Sequence, residues 1–166
     1  MLTNEKIAAI HANAVAHGFW EPGSEPTFGE YCALIHEEIS EAFSAWRNGE
    51  PYEYVKDGKP EGVWVELADV VIRCADWLET CEYKFVEPDI ELDSRYYRFG
   101  EFVSLLHTAA PHLWNKGNDK SIRRLICIVV VLVYRYAEHN GIALDAIIER
   151  KHAYNVTRPW RHGKRM

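Results

Sequence analysis

Glu38-Ile-Ser-Glu41 and Glu66-Leu-Ala-Asp69 narrow the folds open to this chain, because each sets two carboxylates at i and i+3 inside a helical pattern. The first pair lies in a segment predicted helical from Phe28 to Arg47, where Phe28, Tyr31, Cys32, Ile35, Ile39, Ala42, Phe43 and Trp46 recur on one face. The second lies in a predicted helix from Glu61 to Cys81, with an apolar stripe of Val63, Leu67, Val70, Val71, Cys74 and Leu78. At about 100° per residue, Glu38 and Glu41 stand about 60° and 120° off the centre of their stripe. Glu66 and Asp69 stand about 100° and 160° off theirs. Both pairs are lateral, and antiparallel packing of the two helices brings them face to face. Four carboxylates at such a seam repel one another unless cations sit among them. Hard oxygen ligands suit Mg2+ or Mn2+, and Mg2+ usually arrives with a phosphate-bearing ligand. Arg73, one turn beyond Asp69, shares the edge.

The rest of the chain also reads as helix, so an all-α helical bundle in one domain, residues 1–166, is expected. Thr3 and Asn4 cap a first helix that runs through His17 and closes at Gly18. Asn48-Gly49-Glu50-Pro51 stops the second helix, and a polar stretch with Asp57-Gly58 leads to the third. Residues 82–98 break the pattern and read as an irregular insertion. A helix from Phe99 to Leu113 follows, then a turn at Asn115–Asn118. Asp119 or Ser121 caps an apolar helix ending near His139, and a last helix runs from Leu144 to Asn155. Residues 156–166 form a basic tail.

The bulk properties exclude several classes. A formal charge of −6 argues against a general nucleic-acid coat, which needs a basic face. Four cysteines without CxxC spacing read as small buried hydrophobes in a reducing, cytoplasmic setting. No basic-then-apolar leader opens the chain. The greasiest run, Leu125 to Val133, is nine residues long, too short to span a bilayer, and suits a helix buried in a core or subunit seam.

A second cluster is cationic. Lys151, Asn155 and Arg158 follow an i, i+4, i+7 line, with His162 and Lys164 just beyond. These donors are suited to phosphate oxygens, Arg through paired hydrogen bonds. The same residues also have a plainer reading, as complements to a helix dipole in a loose tail. Among the aromatics, Phe19, Trp20, Trp46 and Trp64 lie near the ends of the acidic helices, where one can stack on a nucleobase. Trp20 is the candidate taken for the substrate site.

Three stretches together resemble the MazG-like, all-α nucleoside triphosphate pyrophosphohydrolases, a family with helical dUTPase and dCTPase relatives. They are Leu34–Ala42, Val65–Arg73, and Lys151–Lys164 with its Asn155, Arg158-Pro159 and His162-Gly163-Lys164. The His17-Gly18-Phe19-Trp20 turn extends the likeness, and residues 82–98 do not align. The resemblance implies a four-helix core in a dimer or tetramer, with the Val129–Val133 helix suited to the seam. It implies Mg2+, with Mn2+ as substitute, on Glu38, Glu41, Glu66 and Asp69, and Glu37 as a further ligand or the carboxylate that orients the attacking water. The catalytic pair would be Glu37 and Glu38. Lys151, Arg158 and Lys164 would stabilise the leaving pyrophosphate, and Asn155 would orient phosphate or sugar. The implied reaction converts a nucleoside triphosphate to its monophosphate and pyrophosphate by water attack at the α-phosphorus.

Two rivals make different demands. A di-iron carboxylate bundle needs two Glu-x-x-His motifs, and the chain offers one, Glu149-Arg-Lys-His152, far from the acidic pairs. A non-enzymatic interaction module leaves both acidic pairs on a solvated face.

Overall fold

The computed structural model describes residues 1–23, 25–111 and 119–163, and no side chain at 119. Six α-helices and one small hairpin make up the regular structure of these residues. Helix α1 spans Asn4–Ala16, with Thr3 as its N-cap. Helix α2 spans Phe28–Arg47 and opens on a reciprocal capping box between Thr27 and Glu30. Helix α3, Val63–Thr80, is the central element and packs against α1, α2, α5 and α6. Helix α4 spans Phe99–Ala109, α5 Asp119–His139 and α6 Leu144–Val156.

The sequence pattern located these helices but missed a hairpin. Strands β1, Tyr54–Lys56, and β2, Lys59–Glu61, pair antiparallel around Asp57-Gly58, a dipeptide suited to a tight turn with positive φ. The hairpin takes Glu61, assigned to the start of the third helix, Gly62 becomes the N-cap, and the helix begins at Val63. Helix α4 stops at Ala109 rather than Leu113, because Ala110 precedes Pro111 and is extended, as a residue before proline prefers. Residues Asn115–Asn118, Lys164 and the capping choice between Asp119 and Ser121 lie outside the described residues or turn on a side chain that is. Within 82–98 only Ser94–Tyr96 forms a short 3-10 turn, but Phe85, Ile90 and Leu92 pack on the core.

Helices α2 and α3 run antiparallel. Phe28 and Tyr31 at the start of α2 meet Trp77 near the end of α3, and the Tyr31 hydroxyl donates to the Arg73 carbonyl. The acidic flank of α3 is lateral, as the spacing suggested, and it is also buried. Every residue from Gly62 to Ala68 is buried, because α2 covers one side of α3 while α6 and β2 cover the other. Val129, Val130, Val131 and Val133 are fully buried within this single chain. The chain itself thus buries these four side chains. No helix among the described residues is long and apolar enough to cross a membrane.

Gly62 joins hairpin to helix and sets where Glu66 falls. Its φ is 116°, and a Cβ there would lie 2.6 Å from the Pro51 carbonyl oxygen and 2.9 Å from that of Tyr52. Its own carbonyl accepts the amides of Val65 and Glu66. Both obstacles are backbone, so a side chain cannot be accommodated by a rotamer change. Gly62→Ala is expected to lower stability by about 2–3 kcal/mol in a denaturant titration. A loss under about 0.5 kcal/mol would show that the junction tolerates a Cβ.

Candidate metal centre

Antiparallel packing brings Glu38 of α2 against Glu66 and Asp69 of α3. One carboxylate oxygen from each lies within 4.8 Å of the others. Glu38 is 6% exposed and Glu66 7%, so neither belongs to a solvated face. Two internal cations partly neutralise them. Arg73 donates Nε and Nη2 to Glu38 Oε1, at 3.1 and 3.0 Å. Lys151 reaches across from α6 and places Nζ 2.7 Å from Asp69 Oδ2, with the lysine only 2% exposed.

The Glu66 carboxylate has no hydrogen-bond or ion-pair partner among the described residues. Burial, followed by the charges of Asp69, Glu38 and Glu41, pushes its carboxyl up to about 8, against the opposing pull of Lys151. Burial and the Glu38 charge push Asp69 up to about 6, while Lys151 and Arg73 oppose. Burial alone would lower the Lys151 ammonium, but Asp69, Glu66 and Glu38 outweigh it and hold it above its ordinary value. Too many carboxylates share the site for the cations present. Three converging oxygen donors, with Glu66 uncommitted and Arg73 and Lys151 each holding one oxygen of their partners, fit a hard divalent cation.

A cavity of about 150 Å3 opens on this cluster. It is lined by Glu38 and Glu41 of α2, Glu66 and Asp69 of α3, and Lys151, His152 and Asn155 of α6, with Arg158, Lys59 and His162. Ile10, Asn13, Ala14, Phe19, Ile72 and Asp76 complete the lining. Residues 158–163 are strapped onto the α1 terminus. The Arg161 amide donates to the His17 carbonyl at 2.9 Å, and Arg161 Nε to the Gly18 carbonyl at 3.1 Å. Gly18 is needed there because the Trp160 ring occupies the place of a Cβ. This docking, rather than a loose tail, carries Arg158 and His162 to the cavity.

Not every candidate reaches the site. Glu41 lines the cavity but is exposed and stands outside the group of three. Glu37 is exposed and absent from the cavity wall: one residue from Glu38 is about 100° around the helix. Trp20 stands behind the wall, its indole N–H donating to both oxygens of Asp76 at 3.0 and 3.1 Å. Lys164 lies outside the described residues. The sequence reading missed Lys59, Asn13 and Asp76. Asp76 was legible, since Glu66, Asp69, Arg73 and Asp76 run at i, i+3, i+7 and i+10 along one face of α3.

Comparison of the chain with protein-family models, with curated proteins and with solved structures returned no match.

A carboxyl whose folded pKa lies above its unfolded value stabilises the fold fully below the unfolded value and loses that contribution as pH rises through the folded one. With a chelator present, stability is therefore expected to fall between about pH 5 and pH 8. Glu66→Gln should flatten that fall and match or exceed wild type at pH 8, and Mg2+ should restore wild type there. Urea midpoints at both pH values check this. A Glu66→Gln chain with an undiminished pH slope would show that Glu66 is not the uncompensated group.

Proposed function

We propose that this chain is a Mg2+-dependent nucleoside triphosphate pyrophosphohydrolase of the MazG-like kind, releasing a monophosphate and pyrophosphate by water attack at the α-phosphorus. The observation that carries the reading is the opposition, across one cavity, of a buried carboxylate cluster and a row of cations and amides on α6. A triphosphate brings the negative charge that the α6 wall attracts, and its counter-cation brings the positive charge that the acidic wall lacks. Glu38, Glu66 and Asp69 would hold Mg2+, or Mn2+ in its place, with Glu41 at the cavity mouth as a fourth carboxylate. The ion would supply activation of the attacking water and neutralisation of charge building on the phosphoryl oxygens.

The protein's own residues divide the remaining work. Arg73 holds one oxygen of Glu38 and so orients the other. Arg158 offers a planar donor pair to the phosphate chain, and its carbonyl is held by His17 Nε2 at 3.0 Å. Lys151, now on Asp69, is positioned to bind phosphoryl oxygen when the acidic wall gains another cation. Asn155 is 7% exposed, and its Oδ1 is buried without a hydrogen-bond partner. A buried acceptor of this kind takes a donor, so Asn155 suits a sugar hydroxyl or a bound water better than a phosphate oxygen. The resemblance further implies a dimer or tetramer. Its contact would lie elsewhere than the valine run of α5, which the protomer itself buries.

A panel of canonical and modified nucleoside triphosphates with Mg2+, with the phosphate products resolved, tests the reaction. Monophosphate plus pyrophosphate is expected, and Glu41→Gln should lower kcat/KM by about a hundredfold or more without loss of stability. Asp69→Asn is a poorer probe, because it leaves Lys151 buried without its counter-charge and should destabilise the fold. No turnover across the panel, or diphosphate plus phosphate as products, would refute the proposed chemistry.

A further inference from the structure

Asp76 is a buried carboxylate, 6% exposed, on the cavity wall two helical turns beyond Asp69. It stands well away from the cation cluster: seven residues of helix advance about 10 Å. Its Oδ1 accepts from His11 Nδ1 at 2.7 Å and from Trp20 Nε1 at 3.0 Å, and its Oδ2 accepts from Trp20 Nε1 at 3.1 Å. A carboxylate offers about four acceptor positions, so these contacts leave capacity on Oδ2. His11, whose pKa this pairing raises, and the Arg73 guanidinium partly offset its charge; the cavity is further lined by Ile10 and Ala14 of α1, Ile72 of α3, the Phe19 ring and the Asn13 amide.

A carboxylate placed this way is an expensive means of joining two helices, since an amide could bond to His11 and Trp20 without burying a charge. Its position is informative when taken with the rest of the cavity. The groups suited to phosphate gather near Glu66 and α6, and Asp76, with Ile10 and Ala14 of α1 also on the lining, stands about 10 Å further along α3. That is the polarity of a nucleotide laid along α3, phosphates at one end and a flat base at the other.

We infer that Asp76 is the base-reading residue of this cavity, accepting hydrogen bonds from the exocyclic amino group of adenine, cytosine or guanine. His11 and Trp20 are positioning residues that fix the carboxylate from behind. Uracil and thymine disfavour such a site, because their one ring N–H is flanked by two carbonyl oxygens that face the carboxylate lone pairs. The inference rests on the nucleotide reading of the preceding section and adds the class of base.

Equilibrium binding of dAMP, dCMP, dGMP, dUMP and dTMP in Mg2+, by calorimetry, tests it without requiring turnover. The tightest amino-bearing monophosphate should bind wild type about tenfold or more tightly than dUMP or dTMP. Asp76→Asn should reduce that ratio to about twofold or less, chiefly by weakening the amino-bearing ligand. Should Asp76→Asn fail to fold, Trp20→Phe removes the positioning N–H together with part of the indole ring, and the ratio should still fall about threefold or more. Equal affinities across the five ligands in wild type, or a ratio unchanged in the variants, would overturn the role of Asp76 and leave the nucleotide reading standing. If no monophosphate binds and no triphosphate is turned over, the nucleotide reading falls and this inference with it.

Discussion

Much of this structure depends on how a cluster of buried carboxylates is kept from pushing its helices apart. Glu38, Glu66 and Asp69 meet where α2 and α3 cross, in a setting where unpaired negative charge is strongly unfavourable. Arg73 and Lys151 are the internal answer, one from α3 itself and one from α6. The Lys151–Asp69 pair has an architectural consequence, because it ties the last helix to the central one through a lysine that is itself almost wholly buried. The neutralisation is incomplete. Glu66 is left as the carboxyl that takes up a proton when no other cation is present.

The same cluster gives the cavity its polarity. Acids of α2 and α3, the Lys151 ammonium and Asn155 amide of α6, and apolar side chains with the held Asp76 carboxylate share its lining. The strap formed by residues 158–163 completes the arrangement by crossing to the α1 terminus. Arg161 and His162 adopt left-handed backbone there, a conformation unfavourable for residues with a Cβ and held by hydrogen bonds to His17, Gly18 and Pro159. The strained turn presents the His162 ring to Phe19 at 5.0 Å between centroids. Among the described residues the other non-glycine positive-φ positions, Asp57 and Glu82, also fall in turns, and the α-helices themselves hold none.

The helices were legible because apolar spacing and caps are local signals. Thr3, Thr27 and the Asn48-Gly49 stop all act within a few residues of where they stand, and Pro111 acts on its immediate neighbour. The hairpin was not legible, since β1 and β2 are three residues each and carry no alternating apolar face. For the site, the i, i+3 spacing placed the acids on helix edges correctly, but burial of those edges depends on α6 and β2, which are distant in sequence. The i, i+4, i+7 line of Lys151, Asn155 and Arg158 pointed to one cavity wall. Glu37 and Trp20 show the limit of such reasoning: adjacency in sequence put one on the outside of α2, and an indole N–H bound the other to Asp76 behind the wall. Asp76 itself continues the α3 face that the acidic pair begins.

The central claim is that the cluster of Glu38, Glu66 and Asp69 is a divalent-cation site for which Lys151 and Arg73 stand in. Anomalous scattering from a crystal equilibrated with Mn2+ tests this directly. The expected result is a single strong peak among the three carboxylates, with the Lys151 ammonium displaced from Asp69. A crystal with no peak there, and with the Lys151–Asp69 and Arg73–Glu38 pairs unchanged, would contradict it and identify the cluster as a self-neutralised structural network.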